Sequence, residues 1–329
     1  MSGKINILFT STLHNNFIIR DKIFFEKNYN VFSIIEKGIP AIIKILSKVP
    51  KVDLTFTWFA STYSFLVVLL TKIFKKKSFI VVGGVDVADY REINYGIWLN
   101  WWKGKLVGYS IRNATKVLAV DPSLIVEAKR LAKYDGNNLV YLPTGYDPEE
   151  WFPEGAKEKF VLSVGACEDE WRFVKKGFDK LIEAAQQISD VKFVIIGISE
   201  SLINKIKTDL PQNIELIKFV SQKELLRYYQ KAKVYCQVSY TEGLPNALCE
   251  AMLCGCIPVG TNRGGIPTAI DNAGFIVEYG NIPKLVDAIK EALSKSEEYG
   301  ILARNYIIQN FHKSRRESQL IELINQTIY

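Results

Sequence analysis

Histidine and cysteine are scarce in this chain of 329 residues: two of the first and five of the second, with no Cys-x-x-Cys pair. That scarcity excludes a disulfide framework and a structural zinc site and points to a reducing compartment. Cys167, Cys236, Cys249, Cys254 and Cys256 are therefore expected to be buried and inert. No internal repeat or low-complexity tract is present. No signal-peptide pattern opens the chain, since the apolar run 5–9 is too short for a secretory core and reads as a first strand. One stretch, residues 54–71, runs eighteen residues without a charge, which is long enough for a membrane span. Its first part is β-like, however, and Ser61 is placed to cap a helix, so strand plus buried helix is the expectation.

Acidic residues are short in the first half only. Residues 1–150 carry 20 Lys and Arg against 13 Asp and Glu, while the remainder carries 22 of each. The net charge of +7 thus belongs to the first half, which should face something anionic. With 48% hydrophobic and 23% charged residues the chain is not disordered, and its length suits two domains.

Short apolar runs recur with helical segments between them. In the first half they fall at 5–10, 31–35, 53–59, 78–84, 116–120 and 139–142. In the second they fall at 160–164, 192–197, 214–220, 234–239, 257–260 and 274–277. Near-continuous apolar strands alternating with helices indicate parallel sheets covered on both faces. Asp121-Pro122 reads as a cap followed by a first-turn proline. Ser314-x-x-Glu317 reads as a capping box opening the last helix. Residues 143–159, dense in Pro, Gly and charge, mark the break between domains. The expected architecture is α/β, with two doubly wound Rossmann-like domains and a ligand cleft between them. The expected boundaries are 1–150, 151–310 and a final helical segment, 311–329, packing back on the first domain.

The most informative stretch is 240–270, YTEGLPNALCEAMLCGCIPVGTNRGGIPTAI. Pro245 can start a helix there, with Glu242 in the loop before it and Glu250 one to two turns inside. The free N–H groups of that helix end would seat a diphosphate. Glu250, too anionic to share the seat, is better used on hydroxyls, as an acidic residue is on a ribose. Glu242 could serve a second polyhydroxylated group. A ligand with hydroxyls at both ends and phosphates in the middle has the layout of a nucleotide sugar.

EGLPNALCEAM, GCIPV and GGIP together resemble the Glu-x7-Glu signature of retaining glycosyltransferases of family 4, which have the two-domain GT-B fold. VKKGFDKLIEAA (174–185), PTGYDPEEWFP (143–153) and FVSQKELLRYYQKAKV (219–234) are similar to further segments of that family. The resemblance is strong over about 142–277 and weaker over the first half. It implies that Glu250 holds the nucleotide ribose, Glu242 contacts the donor sugar, and Lys176 neutralises the departing diphosphate. Gly243, Leu244, Pro245, Gly264 and Gly265 would present backbone to the donor. The implied mechanism is front-face and metal-independent, with the leaving diphosphate helping to deprotonate the incoming hydroxyl. No cofactor is implied beyond the nucleotide sugar.

Three departures from the family pattern stand out. Ala166 occupies the position of a customary arginine, and Arg172 or Lys175 would have to supply that charge. The loop after the first strand lacks the glycines of the family's acceptor loop; His14 lies there and is a candidate acceptor contact. No histidine follows the middle strand of the first domain, where Asp86 could take over hydrogen bonding to the sugar. Glu168-Asp169-Glu170 reads as a solvated acidic loop rather than a metal site.

Three basic and apolar segments, 42–51, 69–77 and 98–105 with Trp98, Trp101 and Trp102, suit an anionic membrane surface. The acceptor would then be a glycan or lipid-linked sugar, at the cytoplasmic face of a membrane. No nucleic-acid module is present. Two alternatives stay open: a nucleotide-sugar epimerase on the same fold, and a non-catalytic nucleotide-sugar-binding subunit.

Overall fold

The computed structural model describes residues 4–207 and 210–329. Contacts divide the chain into two units, one running to Gly145 and including Ser314–Tyr329, the other Tyr146–Lys313.

The first unit holds strands β1 (Asn6–Ser11), β2 (Asn30–Ile35), β3 (Leu54–Trp58), β4 (Lys77–Val82), β5 (Lys116–Ala119) and β6 (Leu139–Tyr141). They form one parallel sheet in the order β2-β1-β3-β4-β5-β6. Helices α1 (Asn16–Asn28), α2 (Ile39–Lys48), α3 (Thr62–Ile73), α4 (Trp101–Asn113) and α5 (Pro122–Ala132) connect them. The uncharged run resolves into β3 and α3. Ser61 caps α3 by accepting from the Ser64 N–H, and the Ser64 hydroxyl accepts from the Ser61 N–H in return. Asp121 caps α5 in the way its sequence suggests. Among the described residues no helix is long and apolar enough to cross a membrane.

The second unit holds β7 (Glu158–Cys167), β8 (Lys192–Ile198), β9 (Ile214–Ile217), β10 (Ala232–Gln237), β11 (Ile257–Thr261) and β12 (Phe275–Val277), again a parallel sheet, ordered β12-β11-β10-β7-β8-β9. Its helices are α6 (Glu170–Lys175), α7 (Phe178–Gln186), α8 (Glu200–Ile206), α9 (Gln222–Lys231), α10 (Asn246–Leu253), α11 (Ile266–Ile270), α12 (Ile282–Ser294) and α13 (Glu298–Phe311). Strand order reverses between β7 and β10, so the carboxyl ends of those two strands are where a ligand is expected. All five cysteines are buried and free.

One expectation needs correction. The last helix, Lys313–Ile328, begins one residue before Ser314, so Ser314 lies inside the helix and is not its cap. Glu168, Asp169 and Glu170 are exposed; Asp169 accepts from the Arg172 N–H and caps α6, which starts at Glu170.

Candidate active site

At the exit of β10 the chain turns through Val238–Tyr240 and enters α10 at Pro245, where no side chain caps the helix. Proline has no N–H to lose at that position, and the free N–H groups of the first turn remain for a ligand. Gly243, Leu244 and Pro245 form the buried floor of the turn.

Glu242 sits in this turn and pairs with Lys176, Nζ to Oε1 at 2.6 Å, both side chains being mostly buried. The Ser239 hydroxyl donates to the same oxygen at 2.9 Å, and Gln237 Nε2 lies 3.4 Å from it. Burial alone would raise the Glu242 carboxyl, but Lys176 and Lys175 outweigh it and hold the group down at about 2. Lys176 follows α6 directly, and Gly177 after it adopts φ +70°, with a Cβ position only 2.0 Å from the Val238 carbonyl. Only glycine lets the lysine loop press this closely on the β10 exit.

Gly264 plays the same part on the other side. At φ +52° its Cβ would fall 2.1 Å from the Glu242 carbonyl oxygen. The Gly265 N–H donates to that oxygen at 3.1 Å. The GG pair thus fixes the Glu242 backbone from outside its own loop. Glu250 lies half-buried on α10, with the hydroxyl of the buried Tyr229 3.5 Å from its Oε2.

Glu242, Lys176, Glu250, the Gly243–Pro245 turn and Gly264–Gly265 all belong to the second unit. The structure gives Arg172 a different place. It is half-exposed and pairs with Glu168 at 2.7 Å and Asp169 at 3.2 Å, the two residues just before α6. Lys175 is the buried cation: its ammonium lies in the field of Glu242, and burial lowers its pKa. Its carbonyl accepts from the Tyr240 N–H, tying α6 to the turn. Ala166 is exposed near the end of β7.

The expectation for Asp86 is corrected. Its carboxylate is fully buried in the first unit, where Oδ1 accepts from Gly83 and Gly84 and Oδ2 from Ala60. Burial pushes it up to about 6 against the pull of these N–H groups. Both oxygens are engaged by backbone, so Asp86 positions the loop after β4 rather than touching a sugar. Trp98 joins the same structure, its Nε1–H donating to the Asp86 carbonyl. His14 is exposed between β1 and α1, at the carboxyl end of the sheet.

Sequence reasoning missed Ser239 and Gln237 on Glu242, Tyr229 beside Glu250, and the cations at the far end of α10. Lys157 donates to the Cys254 carbonyl at 2.7 Å, and Arg304 donates to the Leu253 carbonyl. Both meet the negative end of the helix dipole. Only Gln237 and Ser239 carried a local signal, as polar residues at and just after the end of the apolar run Val234–Cys236. Among the described residues no group of three His, Cys, Asp or Glu is arranged to hold a metal ion. Glu168 pairs with Arg172, Asp169 caps α6 and Glu170 pairs with Lys205.

Comparison with known proteins gives this architecture its class. Residues 149–311 match the family model of glycosyl transferases group 1. The whole chain has the GT-B fold: it superposes on Anabaena HepE in complex with UDP with a TM-score of 0.76 at 15% identity, covering 98% of this chain and 100% of that one. The amylovoran biosynthesis glycosyltransferase AmsK of Erwinia amylovora is 31% identical over 187 residues, 50% of this chain and 44% of the relative. A GDP-mannose-dependent monoacylated phosphatidylinositol monomannoside mannosyltransferase of Corynebacterium glutamicum is 26% identical over 178 residues, 46% of each. The chain spans about half the length of the curated relatives it matches.

Proposed function

We propose that this chain is a retaining, metal-independent glycosyltransferase that moves a sugar from a nucleotide sugar to a hydroxyl of a glycan or lipid-linked acceptor. The observation that carries the reading is the Lys176–Glu242 ion pair beside the uncapped start of α10, at the point where strand order reverses. A diphosphate on the α10 N–H groups draws Lys176 toward its oxygens and stabilises the charge that develops as the sugar leaves. Glu242, ionised throughout the physiological range, then accepts from sugar hydroxyls. Glu250 accepts from the ribose. Lys175, not Arg172, supplies the second positive charge, being the cation buried next to Glu242. The first unit takes the acceptor, with His14 at the carboxyl end of β1. The names of the relatives and of the UDP-bound neighbour support a nucleotide-sugar donor.

Melting temperature with UDP-, GDP-, ADP- and dTDP-sugars tests this, with Glu250→Ala as control. A donor at about one hundred times its Kd stabilises by about 2.7 kcal/mol. A rise with one nucleotide class, lost in the variant, is the expected result. No rise with any of them removes the donor site. Binding without turnover over a broad acceptor panel replaces the enzyme with a silent binding subunit.

A further inference from the structure

The first unit leaves an apolar face uncovered. On α2, Ala41 and Ile45 pack inward with Val67 and Leu70 of α3. The opposite face shows Ile39, Ile42, Ile43 and Leu46, at helical spacing, with exposures of 72%, 38%, 60% and 47%. Single exposed aliphatics are ordinary, but four on one helix form a patch that a monomer in water does not need. A second apolar group lies at the adjoining corner, where Ile73, the last residue of α3, and Phe74 after it are exposed.

Both groups are framed mainly by lysine, with Glu36 at the edge of the first. Residues 37–51 and 69–77 contain eight lysines and no acidic residue. Among the described residues only Lys44 of the eight pairs with a carboxylate, that of Glu36. Lys72, Lys75, Lys76 and Lys77 line one open hollow of about 320 Å³ with Ser78 and Thr115. The Lys77 N–H donates to the Asp53 carbonyl, which brings this corner near Lys51, at the end of the short turn Val49–Lys51 that follows α2.

We propose that the outer face of α2 and the α3–β4 corner dock on an anionic lipid bilayer, the aliphatic side chains entering the interface and the lysines meeting lipid phosphates. Charge selects this occupant. A second copy of the chain meeting the same patch across a two-fold axis would bring lysines against lysines, with no acidic residue in either segment to offset them. A nucleic acid would satisfy the lysines and leave the isoleucines in water. Basic residues flanking an aliphatic helical stripe are the composition of an interfacial helix. The inference does not depend on the transfer reaction, because binding to vesicles is measured without turnover.

The test is sedimentation of the full chain with phosphatidylcholine vesicles, with and without phosphatidylglycerol. Two variants accompany it: Ile43→Glu with Leu46→Glu, and Lys72, Lys75, Lys76 and Lys77 each →Ala together. These side chains are exposed or at the surface corner, and unchanged melting temperatures check the fold. Each lysine near an anionic surface is worth about fivefold in partitioning. The wild type should bind anionic vesicles at least about tenfold more tightly than neutral ones, and either variant should lose about tenfold or more. Equal binding to neutral vesicles, or undiminished binding by both variants, overturns the proposal. So does a lipid-free dimer in sedimentation equilibrium that Ile43→Glu with Leu46→Glu dissolves, since a second copy would then cover the face.

Discussion

Arg316 closes a two-point fork on Asp21, Nε to Oδ1 at 2.8 Å and Nη2 to Oδ2 at 2.6 Å, with both side chains over nine-tenths buried. The remaining Nη1 donates to the Leu142 and Pro143 carbonyls, and the guanidinium lies over the Trp58 ring, whose Nε1–H donates back to Asp21. Every donor direction in use has a partner, the condition under which a buried ion pair is tolerated. The last helix is thereby fixed to α1 and β3 across almost three hundred residues of sequence.

Removing one partner leaves the other charged and buried. Arg316→Leu should therefore destabilise the first unit by about 3–5 kcal/mol. The double variant Arg316→Leu with Asp21→Leu should recover part of that loss. Urea midpoints of the two variants, compared with wild type, measure the difference. A single variant as stable as wild type would show that the helix is held by Leu320 and Ile324, which are fully buried, and not by the fork.

Glu242 makes stability depend on acid in a defined direction. Its folded pKa, about 2, lies below the ordinary glutamate value of 4.5. The unfolded chain therefore binds the proton more readily, so the contribution is fully present above about pH 4.5 and is lost as pH falls toward 2. The shift corresponds to about 3 kcal/mol. Glu242→Gln should flatten the acid limb of a stability–pH curve over that window. An acid limb unchanged in Glu242→Gln would mean that Lys176 does not hold the carboxylate.

Asp86 works in the opposite sense. Its folded pKa, about 6, lies above the ordinary value of 3.8, so folding takes up a proton between those values. Its contribution is full below about pH 4 and is lost as pH rises through 6. Asp86→Asn keeps one acceptor oxygen and turns an amide N–H₂ toward a backbone N–H. The variant should be less stable than wild type at pH 4, with a smaller gap at pH 8 as the wild type meets the cost of a buried charge. Chemical denaturation at the two values decides it. A gap that widens toward pH 8 contradicts the assignment.

The parallel strands were legible because burial on both faces leaves continuous apolar runs: β3 and β11 are buried at every position, and β4 at every position after its first residue, Lys77. The placement of Glu242 before α10 and Glu250 within it was legible because a proline is tolerated at the start of a helix and not in its interior, so the helix has to begin at or after Pro245. Asp86 was not. An aspartate after two glycines reads equally as ligand or as turn residue, and what decides is the Ala60 N–H, 26 residues earlier in the chain. The choice between Arg172 and Lys175 depended on which face of the six-residue α6 turns inward, and periodicity is weak over so short a helix. Lys157 and Arg304 reach α10 from 97 and 51 residues away, beyond any local pattern.

Gly264→Ala separates backbone support from side-chain chemistry at the site. The substitution removes no functional group, yet it adds a Cβ that falls 2.1 Å from the Glu242 carbonyl oxygen, at a φ of +52°. The turn must retreat, and the Gly265 N–H to Glu242 bond is strained with it. The direct cost in stability should be about 1–3 kcal/mol, the usual range for a forced left-handed residue. The effect on donor binding should be larger than that on folding, because the retreating carbonyl carries Glu242 away from the start of α10. Gly280, at φ +83° with nothing within 4 Å of its Cβ, supplies the control: Gly280→Ala tests backbone strain without the collision. Nucleotide-sugar thermal shifts on the two variants should show a response lost at Gly264 and kept at Gly280. Loss at both positions would mean that general softening of the second unit, rather than displacement of Glu242, abolishes the site.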